Sequence, residues 1–221
     1  MSAVQSKKLK AMEEAMSLIK SGDRIMVSGF GNVGDPKQLV AALSKRSVKD
    51  LTIISNDLGS PGIGLGALLS AGMVKKLIGN YYNWNPEVAD AYNAGIIDVE
   101  LVPQGSFAEG IRAAGVGVAA FFTPTGAGTD LAVHKEEREF NGRRYILQEA
   151  IKADVALISA AKADALGNLV YSKVARNFNP LMAMAADLVI AEVGEVVPAG
   201  TFDPECIVTP HIFVDVLVQR G

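Results

Sequence analysis

The sequence predicts an α/β fold, and two features of its pattern support that prediction. Short apolar runs typical of strands alternate with helical segments along much of the chain. One apolar run, residues 24–28, also leads into a Gly-x-Gly-x-x-Gly loop and then Asp35-Pro36, a pair that often begins a helix. This alternation is typical of right-handed βαβ units. It predicts a three-layer α/β/α arrangement in which helices cover both faces of a mostly parallel sheet.

The elements of the first half follow from periodicity and from helix start signals. Residues 6–20 predict an amphipathic helix, because their apolar residues recur at nearly helical spacing. Asp35 as N-cap and Pro36 as the first helical residue predict a helix over 36–44. The other predicted strands and helices are strands 25–28, 51–55, 77–79 and 99–102, and helices 64–71, 86–93 and 107–113.

Residues 115–150 are predicted to leave the main sheet as an excursion. Glycines concentrate in 115–129, and a β-hairpin follows over 138–146, where Asn141-Gly142 suits a type I′ turn. No repeat, linker or low-complexity segment interrupts the chain, so residues 1–221 are predicted to form a single domain. The last predicted elements are strands 155–159, 169–171 and 188–193, and a helix from Asn179-Pro180 to about residue 186.

Composition narrows the classes of partner. Of the 221 residues, 49% are hydrophobic and 20% charged, and the formal net charge is −3. This apolar content fits a buried parallel sheet or a large subunit interface. No basic block and no membrane-length apolar run occur, so neither nucleic acid nor a membrane is predicted as a partner. A single cysteine, Cys206, and the absence of a signal-peptide core in residues 1–20 predict a cytoplasmic protein.

The glycine loop, residues 28–34, has three interpretations. Its glycines let backbone amides approach an anion, and the following helix adds its positive end. A dinucleotide-binding turn needs an acidic residue some twenty positions on, which Asp57 supplies. A loop shaped for another phosphate or carboxylate ligand is the second interpretation. The third is a tight strand-to-helix turn that requires glycine for its backbone geometry.

The usual nucleophiles and metal ligands are missing from the sequence. His134 and His211 stand in no metal-binding spacing, so no metal site is predicted, and His134 is expected to be solvated. Cys206 has no basic neighbour that would lower its pKa, and a small buried side chain is expected there.

Two amide side chains instead follow predicted strands directly. Gln104 and Asn56 are expected at the sheet edge where parallel sheets present a ligand crevice. A glutamine amide can donate a hydrogen bond to a carbonyl oxygen or an oxyanion at any pH. Two plainer interpretations stay open: Gln104 caps the helix that follows it, and Asn56-Asp57 forms an Asx-turn.

Taken together, several motifs resemble the alpha subunit of the two-subunit family I 3-oxoacid and acetate/acetoacetate CoA-transferases. The resemblance covers nearly the whole chain, and several motifs in the right order are far more specific than one glycine loop. The matching segments are 27–36 (Val-Ser-Gly-Phe-Gly-Asn-Val-Gly-Asp-Pro), 52–57, 100–105, 122–129, 175–180 (Ala-Arg-Asn-Phe-Asn-Pro) and 207–210.

The resemblance implies a role for each motif. Gln104 corresponds to the family's oxyanion-stabilising glutamine, and Asn56 to an asparagine that lines the substrate crevice. Residues that the family places in the CoA/substrate crevice are Ser28, Gly29, Phe30, Gly31, Asn32, Val33 and Gly34. The family's catalytic glutamate lies in the beta subunit within Glu-Asn-Gly, a motif absent from these 221 residues. Glu109 lies outside any such motif and is expected to be an ordinary helix residue.

The resemblance further implies a ping-pong transfer of CoA between a short-chain acyl-CoA and a free carboxylic acid. The acyl groups in question are acetyl, acetoacetyl, butyryl and succinyl. CoA and acyl-CoA would be substrates, with no permanently bound cofactor. The chain would work only with a beta subunit, in an α2β2 or larger assembly. A non-catalytic ligand-binding module on the same fold and, more remotely, an NAD-dependent oxidoreductase remain the alternatives.

Two departures from the family pattern bear on specificity. Ser28 stands where the family usually has glycine. Residues 81–87, which include Tyr82 and Trp84, replace a segment that is smaller in many relatives. These aromatic side chains would either narrow the crevice and stack on an acyl group, or belong to the core or an interface.

Overall fold

The structure is a computed structural model that describes residues 6–221. Residues 1–5, with which the domain predicted over residues 1–221 begins, lie outside the described range. The helices are α1 (Met12–Ser17), α2 (Lys37–Leu43), α3 (Leu65–Ser70), α4 (Pro86–Asn93), α5 (Gln104–Gly115) and α6 (Asn179–Met184). The strands are β1 (Arg24–Val27), β2 (Leu51–Ile54), β3 (Val74–Gly79), β4 (Asp98–Leu101), β5 (Ala120–Thr123), β6 (Glu137–Phe140), β7 (Arg143–Glu149), β8 (Ala153–Asp164), β9 (Leu169–Val170), β10 (Ala186–Val197) and β11 (Val216–Gln219).

The main sheet is mostly parallel, as the alternation of elements predicts. Its strands run in the order β11-β10-β8-β1-β2-β3-β4, and every neighbouring pair along this path is parallel. The short strand β9 is the exception, because it pairs antiparallel with β8 at the margin of the sheet. Strand β1 lies near the middle, where Ile25 is in register with Ile53 of β2 and Val155 of β8.

Two apolar cores lie on opposite faces of this sheet. Alternate residues of β1 divide between them: Ile25 and Val27 belong to one core and Met26 to the other. The first core is covered by α1–α4, and the second by α5 and α6. The three-layer α/β/α fold is therefore confirmed. None of the helices in residues 6–221 combines the length and the apolarity that a membrane span requires.

The excursion over residues 115–150 forms a separate antiparallel sheet with strand order β5-β7-β6. Asn141 and Gly142, with φ of 52° and 75°, connect β6 to β7. A type I′ turn needs positive φ at both central residues, so the predicted hairpin is confirmed. Strand β5 was not predicted, because its flanking glycines and proline are typical of a loop.

Several element boundaries differ from the prediction. Helix α1 covers only Met12–Ser17 instead of residues 6–20, and β11 was not predicted at all. Helix α5 begins at Gln104 rather than at residue 107. Strands β8 and β10 each run for 12 residues, well beyond their predicted limits. Their extra length comes from mutual pairing that continues to Asp164 and Val197, a long-range contact that local periodicity does not encode.

The predicted N-cap of α2, Asp35, is wrong. The helix begins at Lys37, Pro36 occupies the N-cap position, and no side chain of that residue or of Asp35 caps the first turn. The buried carboxylate of Glu192 in β10 accepts the backbone amides of Gln38 and Leu39 instead, at 2.8 and 3.0 Å. A carboxylate at this point also interacts favourably with the helix dipole.

Candidate active site

Four loops meet at the carboxyl edge of the parallel sheet, where such folds bind ligands. The glycine loop follows β1, Asn56 and Asp57 follow β2, Asn80 and Tyr81 follow β3, and Gln104 follows β4. They enclose a crevice of about 440 Å³. The crevice is lined by Phe30, Gly31, Asn56, Asp57, Asn80, Tyr81, Trp84, Pro103 and Gln104.

The glycine loop is a tight turn packed closely against the rest of the protein. Phe30 and Val33 exchange two backbone hydrogen bonds across its tip, at 3.1 and 3.3 Å. Gly34 has a φ of +74°, and a Cβ atom added there would clash with the carbonyl oxygen of Ala175. Glycine is therefore required at position 34 for both backbone conformation and packing.

Three polar side chains hold this loop in place. Asn177 donates to the carbonyl of Val33 at 2.8 Å, and Asn179 donates to the carbonyl of Gly34 at 3.0 Å. The hydroxyl of Ser28 donates to the same Gly34 carbonyl at 3.2 Å. The hydroxyl of Ser28 thus helps to close the loop.

Asp57 connects the loop to the neighbouring strand. Its side chain is only 7% exposed, and its Oδ2 accepts the amide of Gly31 at 2.9 Å and the Nδ2 of Asn56 at 3.0 Å. Its Oδ1 accepts the amide of Gly59 at 3.1 Å, which completes the predicted Asx-turn. Both oxygens are thus engaged inside the protein, which removes the acidic group that a dinucleotide-binding turn needs for the ribose.

Gln104 and Asn56 come together as the sequence predicts. The Nε2 of Gln104 lies 3.5 Å from the Oδ1 of Asn56, at the limit of a hydrogen bond. Gln104 is the first residue of α5, and no side chain caps that helix, so the capping interpretation of Gln104 is wrong. Its exposed amide has a second N–H that can donate into the crevice.

The other acidic candidates do not face the crevice. Glu109 receives two hydrogen bonds from Arg112, at 2.6 and 2.8 Å, and these lower the pKa of Glu109. It is an ion-paired helix residue, as expected. Asp35 lies beneath the glycine loop, where burial raises its pKa.

The two aromatic residues singled out by sequence differ in environment. Tyr82 is 8% exposed and packs in the first core, where burial and the charges of Asp57 and Glu100 raise the pKa of its phenol. Trp84 is 66% exposed and lines the crevice, with its ring edge-to-face against Tyr81 at 5.9 Å. Tyr82 is therefore a core residue, and only Trp84 is available to a ligand.

Sequence reasoning missed Asn80, although a signal existed. Asn80 follows β3 directly, as Ser55 and Asn56 follow β2, and a polar residue at that place in a parallel sheet points to the ligand edge. The expectation of a buried Cys206 is wrong, because this residue lies exposed in a short 3₁₀ turn. His134 is exposed, as predicted.

Comparison with known proteins assigns the family. Residues 9–220 match the family model described as coenzyme A transferase. The chain is 48% identical over 209 residues to the A subunit of the succinyl-CoA:3-ketoacid coenzyme A transferase of Helicobacter pylori J99, covering 95% of this chain and 90% of that protein. It is 49% identical to the A subunit of the 3-oxoadipate CoA-transferase of Pseudomonas putida, with 96% and 93% covered. It is 42% identical to the alpha subunit of the acetate CoA-transferase of Escherichia coli K12, with 96% of each chain covered.

Solved structures agree in fold. An acyl-CoA transferase of Escherichia coli O157:H7, crystallised as a thioester complex with CoA, superposes with a TM-score of 0.89 at 22% identity. The superposition covers 96% of this chain and 47% of that one, so the present chain spans about half of that chain's length. Glutaconate coenzyme A-transferase from Acidaminococcus fermentans gives a TM-score of 0.86 at 20% identity, covering 97% of this chain and 76% of that one. The chain belongs to the coenzyme A transferase family.

Proposed function

We propose that this chain is the alpha subunit of a CoA-transferase that moves CoA between a short-chain acyl-CoA and a free carboxylic acid. The observation that carries the proposal is the chemistry of the crevice. It offers amide donors, Gln104 above all, yet its one carboxylate, Asp57, is already engaged by three hydrogen-bond donors. The nucleophile must therefore come from a second polypeptide. The relatives, which are named as A or alpha subunits, support this division.

The proposed reaction is a ping-pong transfer. A glutamate carboxylate of the partner attacks the thioester carbonyl, which forms an acyl anhydride and expels the CoA thiolate. The thiolate attacks the glutamyl carbonyl, releasing the first carboxylic acid and leaving an enzyme–CoA thioester. The second carboxylate then reverses these steps and departs as its CoA ester. CoA is thus a substrate here, and the transfer needs no permanently bound cofactor.

Gln104 has the clearest role in this scheme. Each attack on a carbonyl carbon places negative charge on the carbonyl oxygen, and a fixed amide N–H at the crevice stabilises that charge. Asn56 accepts one N–H of Gln104 and so orients the other. Phe30 and Gly31 supply a wall, while the amide of Gly31 is committed to Asp57. We accordingly assign Phe30 and Gly31 to the wall of the CoA/substrate crevice, and the other residues of the loop 28–34 to the turn that positions them.

We propose a cytoplasmic α2β2 or larger assembly as the working enzyme. The test is reconstitution with a partner subunit that carries Glu-Asn-Gly. The isolated chain should show no CoA transfer between acyl-CoA and carboxylate, and adding the partner should restore it. Turnover by the isolated chain would contradict the division of labour. Failure of any such partner to bind or to give activity would favour a non-catalytic ligand-binding module.

A further inference from the structure

The crevice has a distinctive charge composition. Three of its lining residues are aromatic (Phe30, Tyr81 and Trp84), and three carry neutral amides (Asn56, Asn80 and Gln104). None of the lining residues from the described part of the chain is Lys, Arg or His. The one acidic side chain in the lining is Asp57.

The carboxylates near the crevice add to its negative electrostatic potential. The charges of Asp57 and Glu100 both act on the phenol of Tyr82, which follows the crevice residues Asn80 and Tyr81. Lys76, the cation beside Glu100, is already paired with that carboxylate at 2.7 Å. Along the lining that this chain supplies, a second carboxylate on a bound acyl group would meet no cation and would lie near one acidic side chain.

Asn80 has an unused hydrogen-bonding group at this point. Its Nδ2 is buried and has no hydrogen-bond partner within residues 6–221. A buried donor left unpaired is costly, and in native structures it calls for an explanation such as a bound ligand or water. A neutral acceptor such as a ketone oxygen would satisfy this amide without bringing in charge.

From these observations we infer that the crevice selects acyl groups that carry no second negative charge, and that Asn80 is a specificity-determining residue. The inference rests on the proposed function. Acetyl, butyryl and acetoacetyl groups fit this class, and the 3-oxo oxygen of acetoacetyl is a neutral acceptor of the kind that the Asn80 amide lacks. Succinyl and 3-oxoadipyl groups do not fit. The preference would separate this chain from relatives whose names specify succinyl-CoA or 3-oxoadipate.

The first test compares substrates on the complex with its partner subunit. We expect kcat/KM for butyryl-CoA and acetoacetyl-CoA to exceed that for succinyl-CoA by about tenfold or more, with acetate as the common acceptor. An equal or larger value for succinyl-CoA would overturn the inference while leaving the proposed function intact. Absence of transfer from every acyl-CoA would overturn the proposed function, and the inference with it.

The second test moves a cation into the crevice. Asn80→Arg should raise kcat/KM for succinyl-CoA relative to butyryl-CoA by about tenfold, because the new guanidinium can form an ion pair with the distal carboxylate of the succinyl group. Asn83→Arg is the matched control: Asn83 lies three residues along the same loop but outside the crevice lining, so the ratio should not move.

Trp84→Arg is a second crevice variant, to be used if Asn80→Arg does not fold. Trp84 is exposed and also lines the crevice, so a substitution there should not disturb the core. It should shift the ratio in the same direction. An unchanged ratio in both crevice variants, or an equal shift in Asn83→Arg, would contradict the assignment of specificity to this crevice.

Discussion

Single side chains in the crevice divide into those that hold the structure and those left free for a ligand. Asp57 belongs to the first group, since its two oxygens accept hydrogen bonds from two loops and from Asn56. Gln104 belongs to the second, because its exposed amide has only the long contact with Asn56. The crevice thus offers neutral hydrogen-bond donors and no free nucleophile. Such a crevice fits a subunit that stabilises an oxyanion while another subunit supplies the nucleophile.

Gln104→Ala tests the catalytic half of this division. Loss of a donor to a developing oxyanion should lower kcat of the reconstituted enzyme about a hundredfold to a thousandfold. The free energy of unfolding should stay within about 0.5 kcal/mol of the parent, because the side chain is exposed. Gln219→Ala, also exposed but in β11, is the control and should leave kcat unchanged. A loss of less than tenfold in the Gln104 variant would rule out this role.

Asp57→Ala tests the structural half. The variant leaves the amides of Gly31 and Gly59 without their acceptor, and we expect unfolding in urea to show a loss of about 1–3 kcal/mol. Asp90→Ala on the exposed face of α4 should change stability by less than about 0.5 kcal/mol. Equal stabilities of the two variants would show that Asp57 does not hold the loop.

Elements that carry the site are fixed largely by contacts distant in sequence. Helix α2 starts where Glu192, 154 positions away from Gln38, accepts its first amides. Glu192 is 2% exposed and also receives a hydrogen bond from Arg220 at 2.9 Å. The glycine loop immediately before α2 is fixed in turn by Asn177 and Asn179. Glu192 and these two asparagines all come from the second half of the chain, and they fix the β1–α2 unit in the first half.

Glu192→Ala tests the long-range cap. It removes the acceptor of two helix amides and the partner of Arg220, and should lower the free energy of unfolding by about 2–3 kcal/mol. Glu195→Ala is the control, because Glu195 lies on the same strand in an exposed pair with Lys162 and should cost less than about 1 kcal/mol. Similar losses in both variants, measured by urea unfolding, would argue against the cap.

Gly34→Ala tests the packing of the glycine loop. Gly34 and Gly62 both have positive φ, of +74° and +67°, so alanine suffers similar backbone strain at each. A Cβ at position 34 meets the Ala175 carbonyl, whereas nothing lies within 4 Å of one at position 62. Gly34→Ala should therefore be destabilised by at least about 1 kcal/mol more than Gly62→Ala in thermal or urea unfolding. Equal losses of stability in the two variants would show that close packing does not require glycine at position 34.

The contrast between α4 and α2 shows what sequence can predict. The predicted start of α4 at residue 86 is correct, and the structure shows Asn85 accepting the amide of Glu87 at 3.1 Å with Pro86 as the first helical residue. Asp35-Pro36 is a similar pair, but the predicted cap by Asp35 is wrong. The carboxylate of Glu192, from β10, accepts the first amides of α2 instead. Local chemistry therefore predicts an element's existence well, and its cap only when no distant group competes.

The site shows the same limit. Parallel-sheet topology suffices to predict that Gln104 and Asn56 meet at one edge, and the structure brings them together. The separate environments of Tyr82 and Trp84 could not be read from sequence, because they depend on which face of one loop packs onto the core. The hydrogen bonds of Asp57 likewise depend on the exact distance between two loops.

At the scale of the whole molecule, residues 6–221 form a three-layer fold with a ligand crevice at one edge of its sheet. Two cores sandwich the sheet, and the crevice opens at its carboxyl edge. The relatives that the chain matches over 90% or more of their length are named as A or alpha subunits. We therefore expect a second subunit to close the crevice and to bring the nucleophile opposite Gln104.

The most direct measurement locates the covalent intermediate. The reconstituted enzyme is incubated with acyl-CoA without an acceptor, and both polypeptides are then analysed by intact-mass and peptide mass spectrometry. We expect CoA in thioester linkage to a glutamate of the partner, and none on this chain. A CoA adduct on any carboxylate of residues 1–221 would contradict the claim that this subunit stabilises charge but supplies no nucleophile.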